Sequence, residues 1–139
     1  MLAPEPAAPV LPPFRFSAQT VVVDGGKHRQ REATVELANG VVSVVGKDSP
    51  LSASVPVAGI VGFTYSKSKQ PLWNTPQGPA EIAHLDGGAF GFLRGDQDWV
   101  SLRTEHMSLV LRVREQEVRT VIAALEERIG RKVERVERR

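Results

Sequence analysis

No cysteine occurs among the 139 residues, which excludes disulfides, thiolate metal sites and a cysteine nucleophile together. Long hydrophobic runs are missing too: none approaches the ~20 apolar residues of a membrane-spanning helix. Aromatic residues make up only 6% of the chain, few enough that a core would claim most of them. Charge of one sign is equally scarce, with 18 Lys and Arg against 16 Asp and Glu for a formal net charge of +2. So small an excess exerts little long-range pull on a polyanion, and a nucleic-acid binder would carry a larger, contiguous basic face. Catalytic signatures are absent as well. There is no Gly-x-Ser-x-Gly elbow, phosphate-binding glycine loop or zinc-binding helix motif. Gly87, Gly88 and Gly91 do not make the dinucleotide pattern, and no helix follows them.

What is present is the composition of a globular domain, 41% hydrophobic and 24% charged, in a chain long enough to bury a real core. Residues 1–13 form a Pro/Ala-rich leader with neither the basic nor the apolar region of a signal peptide. Its prolines forbid a helix and favour an extended segment. It reads either as a natural linker or as the small-residue start of an exported protein after signal removal, and the compartment stays open between the two. Residues 14–132 read as one domain. The mixed-sign tail, 133–139, is expected to be a frayed, solvated end.

Hydrophobic patterning assigns most of the domain to strands. Phe14 to Val23 ends in the β-branched run Thr20-Val-Val-Val23, and Asp24-Gly25-Gly26 is a turn signal. Arg31 to Leu37 alternates, with Ala33, Val35 and Leu37 on one face, as a half-buried strand does. Asn39-Gly40 then marks a hairpin into Val41 to Val45. Ser54 to Tyr65 is apolar but carries Pro56, Gly59 and Gly62, which calls for an edge, a bulge or a sharp bend. Ser66 to Pro79 reads as a long loop, and two short apolar pieces follow, Ile82 to Leu85 and Ala89 to Leu93. Trp99 to Arg103 and Met107 to Val113 are the last strands. From Glu115 to Ile129 the period changes: Val118, Val121, Ile122, Leu125 and Ile129 fall on one helical stripe. Glu115 and Glu117 suit the start of that helix and Arg128 its end, while Gly130 is placed to cap it in the left-handed conformation. The expectation is a mainly β domain of about seven antiparallel strands with one C-terminal α-helix lying on the sheet.

This order resembles the pleckstrin-homology-like (PH-like) domain, a partly open barrel capped by its C-terminal helix. Ile60-Val-Gly-Phe-Thr-Tyr-Ser-Lys-Ser-Lys-Gln-Pro-Leu-Trp73, with Asp98-Trp-Val-Ser-Leu-Arg103 and Leu109-Val-Leu-Arg-Val113, is similar to an uncharacterised bacterial group with that fold. The resemblance covers roughly Phe14 to Lys132 and implies no particular activity. It does imply a place to look: lipid-binding PH domains grip phosphoinositide headgroups with a basic pattern on the first hairpin, and Lys27, Arg29 and Arg31 match it. All three side chains fall on one face if the strand begins this early. Phosphotyrosine-binding domains of the same barrel take an extended peptide at a sheet edge. Here the edge would be the Pro56–Gly62 segment or the Met107–Val113 strand, and the leader of a neighbouring molecule could be the added strand.

Other candidates are weaker. His84-Leu-Asp86 is the only close pair of metal-ligand types, with His28 and His106 on separate turns, short of the three or four convergent ligands a metal needs. Asp96 and Asp98 could pair as acid and base, but aspartates in a Gly-rich turn ordinarily serve the turn. Of the aromatic set Phe63, Tyr65, Trp73, Phe90, Phe92 and Trp99, most are expected in the core. Trp73, flanked by prolines, is the candidate protein contact. No catalytic residue, metal or cofactor is assigned. The expected role is a non-enzymatic interaction or assembly module with a protein or peptide partner, self-association included, and the alternative is an anionic membrane surface bound by the basic hairpin.

Overall fold

The computed structural model describes residues 12–24, 27–46, 52–82 and 95–137, with the backbone alone at 24, 27–31 and 52. Among these, the strands are β1 (Phe14–Asp24), β2 (Lys27–Ala38), β3 (Val41–Gly46), β4 (Ser52–Pro56), β5 (Gly62–Ser68), β6 (Leu72–Thr75), β7 (Gly78–Glu81), β8 (Gln97–Arg103), β9 (Met107–Val113) and β10 (Glu134–Val136). The single α-helix, α1 (Val118–Ile129), follows a 3₁₀ turn at Glu115–Glu117. Eight strands share one sheet in the order β10-β5-β8-β9-β1-β2-β3-β4, and β6 and β7 form a separate hairpin. The mainly β architecture with one helix near the C-terminus is therefore as expected. No helix of the described residues is long and apolar enough to cross a membrane.

β1 to β4 form an antiparallel meander whose registers follow from the turns. Asn39 and Gly40 take positive φ, 54° and 72°, as a two-residue hairpin turn requires, and this pairs Leu37 with Val42 and Val35 with Val44. β1 is long enough to serve two neighbours: it pairs with β2 along its whole length and with β9 from Gln19 to Asp24. Bend and edge both appear in the Ser54–Tyr65 stretch. β4 ends at Pro56, a 3₁₀ turn covers Val57–Gly59, and β5 starts at Gly62; β4 is one end of the sheet.

One core cluster draws on both halves of the sheet. Phe16, Ala33, Val44 and Val55 come from β1 to β4, and Phe63, Leu102 and Leu111 from β5, β8 and β9. α1 adds Val121, Ile122, Ala124 and Leu125 to it, with Val118 and Ile129 partly buried against the same cluster. The helix has no side-chain cap at Arg114 or Glu117, so a 3₁₀ turn tightens its start. At the other end Gly130, at φ 78°, donates its N–H to Glu126 O at 2.9 Å. Arg128 ties this end to the residues before β1, with Nη2 donating to Pro12 O at 2.7 Å and its guanidinium over Phe14.

Three expectations are corrected. The stretch from Ser66 to Pro79 is not a long loop. β5 runs on to Ser68, and the β6–β7 hairpin turns through Thr75-Pro76-Gln77-Gly78, where Thr75 Oγ1 accepts from Gln77 N and donates to Gly78 O. Met107–Val113 is no edge, because β9 lies between β8 and β1. The tail is not simply frayed: β10 pairs in parallel with β5, Glu134 opposite Thr64 and Val136 opposite Ser66, and Val136 is only 3% exposed. Val136→Ala is accordingly expected to cost about 1–2 kcal/mol, at about 0.8 per buried methylene, and to speed amide exchange in β5 by NMR. Unchanged protection of the Thr64 and Ser66 amides would show that β10 adds nothing to the sheet. The apolar pieces after Ile82, with His84, Asp86, Phe90 and Phe92, lie outside the described residues.

Candidate functional site

Residues on the outer face of β8 and β9 are buried as well, and the β6–β7 hairpin is tied to the end of β5. Trp99, wholly buried, packs with Val21, Val110 and partly buried Ile82 in a second cluster. Its indole Nε1 donates to Ser68 O at 2.8 Å. Ser68 Oγ in turn donates to Gln70 O at 2.6 Å, and Leu72 N donates to Ser66 Oγ at 3.2 Å. These buried serines replace apolar residues on β5 because the hairpin's polar backbone groups need partners there.

Anchored in this way, Trp73 is half-buried on β6 rather than free in a loop. The Arg103 guanidinium lies 4.0 Å above its ring centroid, within cation–π range. Gly62 makes room for that side chain: a Cβ there would come within 3.3 Å of Arg103 Nε. The Arg103 carbonyl accepts from Val61 N at 2.7 Å. Val61 is 48% exposed and lines an apolar groove of about 470 Å³ with Val55, Pro56, Ala58 and Met107. This groove runs beside the β4 edge. Of Trp73, Arg103 and Val61 the sequence signalled only the tryptophan. Val61 and Arg103 gave no signal, because an apolar residue before a glycine and an arginine ending a strand are both ordinary.

The basic candidates sit where a regular strand requires. β2 does begin at Lys27, with Lys27 opposite Asp24, Arg29 opposite Val22 and Arg31 opposite Thr20; their side chains lie outside the described residues. His106 is exposed in the β8–β9 turn. Among the described residues no group of three or more acidic or histidine side chains could hold a metal ion. The two aspartates are separated by environment: Asp96 is exposed, whereas Asp98 is 7% exposed and accepts the Tyr65 hydroxyl at 2.5 Å.

Burial first, and then the hydrogen bond and charge of Asp98, push the Tyr65 phenol up from 10.0 to about 12, against a lowering contribution from Arg135. Tyr65 is the sole tyrosine, so its phenolate absorbance can be read without interference from another. The titration is expected to have its midpoint near 12 instead of 10.0, and Asp98→Asn is expected to bring it down. With the folded value raised, the contribution to stability is complete below about pH 10 and is lost as pH climbs through about 12. A midpoint at the ordinary value in the folded protein would mean that the Tyr65–Asp98 bond is not kept in solution.

No protein-family model matches the chain, and no curated protein is significantly similar to it in sequence. Function has to be argued from the surfaces themselves.

Proposed function

We propose that the chain is a PH-like partly open barrel, of the bacterial group its Ile60–Trp73 phrase resembles, acting as a non-enzymatic interaction and assembly module. The strand order supports this reading: a four-strand meander and a β5–β8–β9 layer meet through β1, and one helix packs on the core both halves share. The observation that carries the interaction role is the apolar groove beside β4, which ends the sheet among the described residues, with exposed Val61 in its lining. An exposed edge next to apolar surface is a template for an added extended segment.

The occupant we assign is the leader, residues 1–11, of a second copy. It offers Leu2, Val10, Leu11 and three alanines with a single charge, Glu5, which suits an apolar groove. It precedes Pro12, whose carbonyl is held at the α1 C-terminal end by Arg128. The stiff Pro12–Pro13 pair disfavours the tight reversal that would return it to its own groove. Light scattering over a concentration series is expected to show self-association that is lost on deleting residues 2–11 and in Val61→Asp. A monomer at all concentrations, or association unchanged in both variants, overturns the assignment.

One observation favours a second reading, headgroup binding. β2 is regular from Lys27, which sets Lys27, Arg29 and Arg31 at alternate strand positions. Three basic residues near an anionic leaflet supply only about 3 kcal/mol, at about 1 each, so this binding would be weak and reversible. Partition onto phosphatidylserine vesicles is expected to fall in Arg29→Glu and Arg31→Glu, and parental binding by both removes the reading.

A further inference from the structure

At the β10 end of the sheet, a short strand is seated in a slot that meets each of its side chains differently. β10 lies parallel to β5, with Glu134 opposite Thr64, Arg135 opposite Tyr65 and Val136 opposite Ser66. Asn74 Nδ2, on the β6–β7 hairpin, donates to Glu134 Oε1 at 2.6 Å. The Arg135 guanidinium stands 5.3 Å from the Tyr65 ring centroid, within cation–π reach. Val136 is almost wholly buried yet belongs to neither core cluster, so its burial is a property of the slot. Glu137 then lines a cleft of about 550 Å³ together with Lys67 and Lys69. The pattern accepted is acidic, basic, apolar, acidic.

The slot does not need β10 in order to exist. On its other side β5 pairs with β8 along the whole of Gly62–Ser68, and Phe63 is fixed in the main core. Tyr65 is held from behind, its hydroxyl donating to Asp98 on β8 at 2.5 Å. The helix is closed before β10 begins, by the Gly130 N–H on Glu126 O.

β10, by contrast, is held lightly. It pairs over three residues and in parallel, the slightly weaker ladder. Glu134 and Arg135 are exposed, which leaves one buried side chain to anchor it. Segments of this kind open locally while the rest of a fold stays intact. β10 also covers only part of its neighbour, because β5 continues past the pairing to Lys67 and Ser68. A longer strand gains ladder bonds there and brings acidic side chains towards Lys67 and Lys69. Asp96 is the opposing carboxylate of that cleft. The contact of Lys67 with Glu115, 3.6 Å between two exposed side chains, is a weak competitor.

We propose that the β5 edge is a docking slot for an extended segment of a partner protein with the pattern acidic–basic–apolar–acidic, and that β10 fills it in cis as a tethered competitor. The partner segment adds to β5 in parallel, in place of β10, and prevails by continuing along Lys67 and Ser68. The slot and the β4 groove are at opposite ends of the strand order, so neither assignment depends on the other.

Fluorescence anisotropy of the full chain with the labelled peptide Glu-Arg-Val-Glu-Thr-Asp tests this. The tether holds β10 at an effective concentration of roughly millimolar, so the parent is expected to bind weakly. Val136→Asp is expected to empty the slot, and Glu134→Lys to loosen β10 through an exposed position. Each is expected to bind the peptide at least about tenfold more tightly, since apparent affinity rises with the fraction of open slots. Glu134→Lys decides the matter if Val136→Asp does not fold. The same peptide with aspartate for valine is expected not to bind. Adding Asn74→Asp to Glu134→Lys is expected to weaken binding, by repelling the first acidic residue. NMR shifts on binding are expected at the Tyr65 to Ser68 amides. No tightening in Glu134→Lys, or equal binding of the aspartate peptide, overturns the proposal. So does a parent dimer that survives deletion of residues 2–11 and is lost in Val136→Asp, because the occupant would then be β10 of a second copy.

Discussion

Replacing Trp99 by alanine is expected to lower unfolding stability by about 3–5 kcal/mol, the range for truncating a large buried aromatic. The size follows from its place. Trp99 is wholly buried, and among the described residues the cluster it fills has Val21 and Val110 as its other buried members. The loss also frees Ser68 O, which receives the indole N–H at 2.8 Å. Trp99→Phe separates the two effects: it keeps most of the apolar volume and is expected to cost about 1–3 kcal/mol for the buried acceptor left unpaired. Urea unfolding gives both values. In hydrogen exchange the β6–β7 amides are expected to lose protection in Trp99→Ala, because the hairpin is held through Ser68, Gln70 and Leu72. A loss below about 1.5 kcal/mol, under the transfer value of one buried large side chain, would mean that the outer face of β8 is not covered as described.

The same cluster marks where the sequence could and could not be read. The helix was legible from Val118 to Ile129, where a 3.6-residue stripe with Gly130 behind it admits one reading, although Glu115–Glu117, expected as its first turn, forms a 3₁₀ turn instead. The alternation of Ala33, Val35 and Leu37 set the face of β2 correctly. β8 and β9 could be recognised as strands from their apolar runs. Their neighbours could not: Met107–Val113 stood with the Pro56–Gly62 segment as one of two candidate edges, because periodicity carries no information on which strand lies beside which. The β6–β7 hairpin was hidden by Pro71, Pro76 and Pro79, which read as loop. Yet Thr75-Pro-Gln-Gly78 has proline at the second position of a turn and glycine at the fourth, the sequence of a type I turn, and that signal was available. β10 was out of reach: Glu134-Arg-Val136 is three residues of mixed charge, and only pairing with β5 gives Val136 a reason to be buried. Val61 and Arg103 were equally invisible, because exposure and a ring contact are properties of a neighbourhood, which no local pattern encodes.

Leu125→Ala is the second large effect expected, about 2–5 kcal/mol for a buried leucine whose cavity cannot fully collapse. Leu125 is 0% exposed at the centre of the helix stripe, one turn from Val121 at 1%. Ala123, on the exposed side of the same helix, supplies the control: Ala123→Ser is expected to cost no more than about 0.5 kcal/mol, the difference in helix propensity. The comparison tests more than local packing, because the cluster that receives Leu125 joins Phe16, Val44 and Val55 from the meander to Phe63, Leu102 and Leu111 from the second layer. Weakening it should loosen both layers together, and unfolding should remain a single transition. Trp73 and Trp99 report on this from the far side of the sheet, where neither belongs to the helix cluster. Tryptophan fluorescence and far-ultraviolet circular dichroism are therefore expected to shift to the same lower midpoint in Leu125→Ala. A shift in the dichroism alone would mean that the helix can leave while the sheet stays folded, and the helix would then be an accessory to the domain, with the sheet able to hold its shape without it.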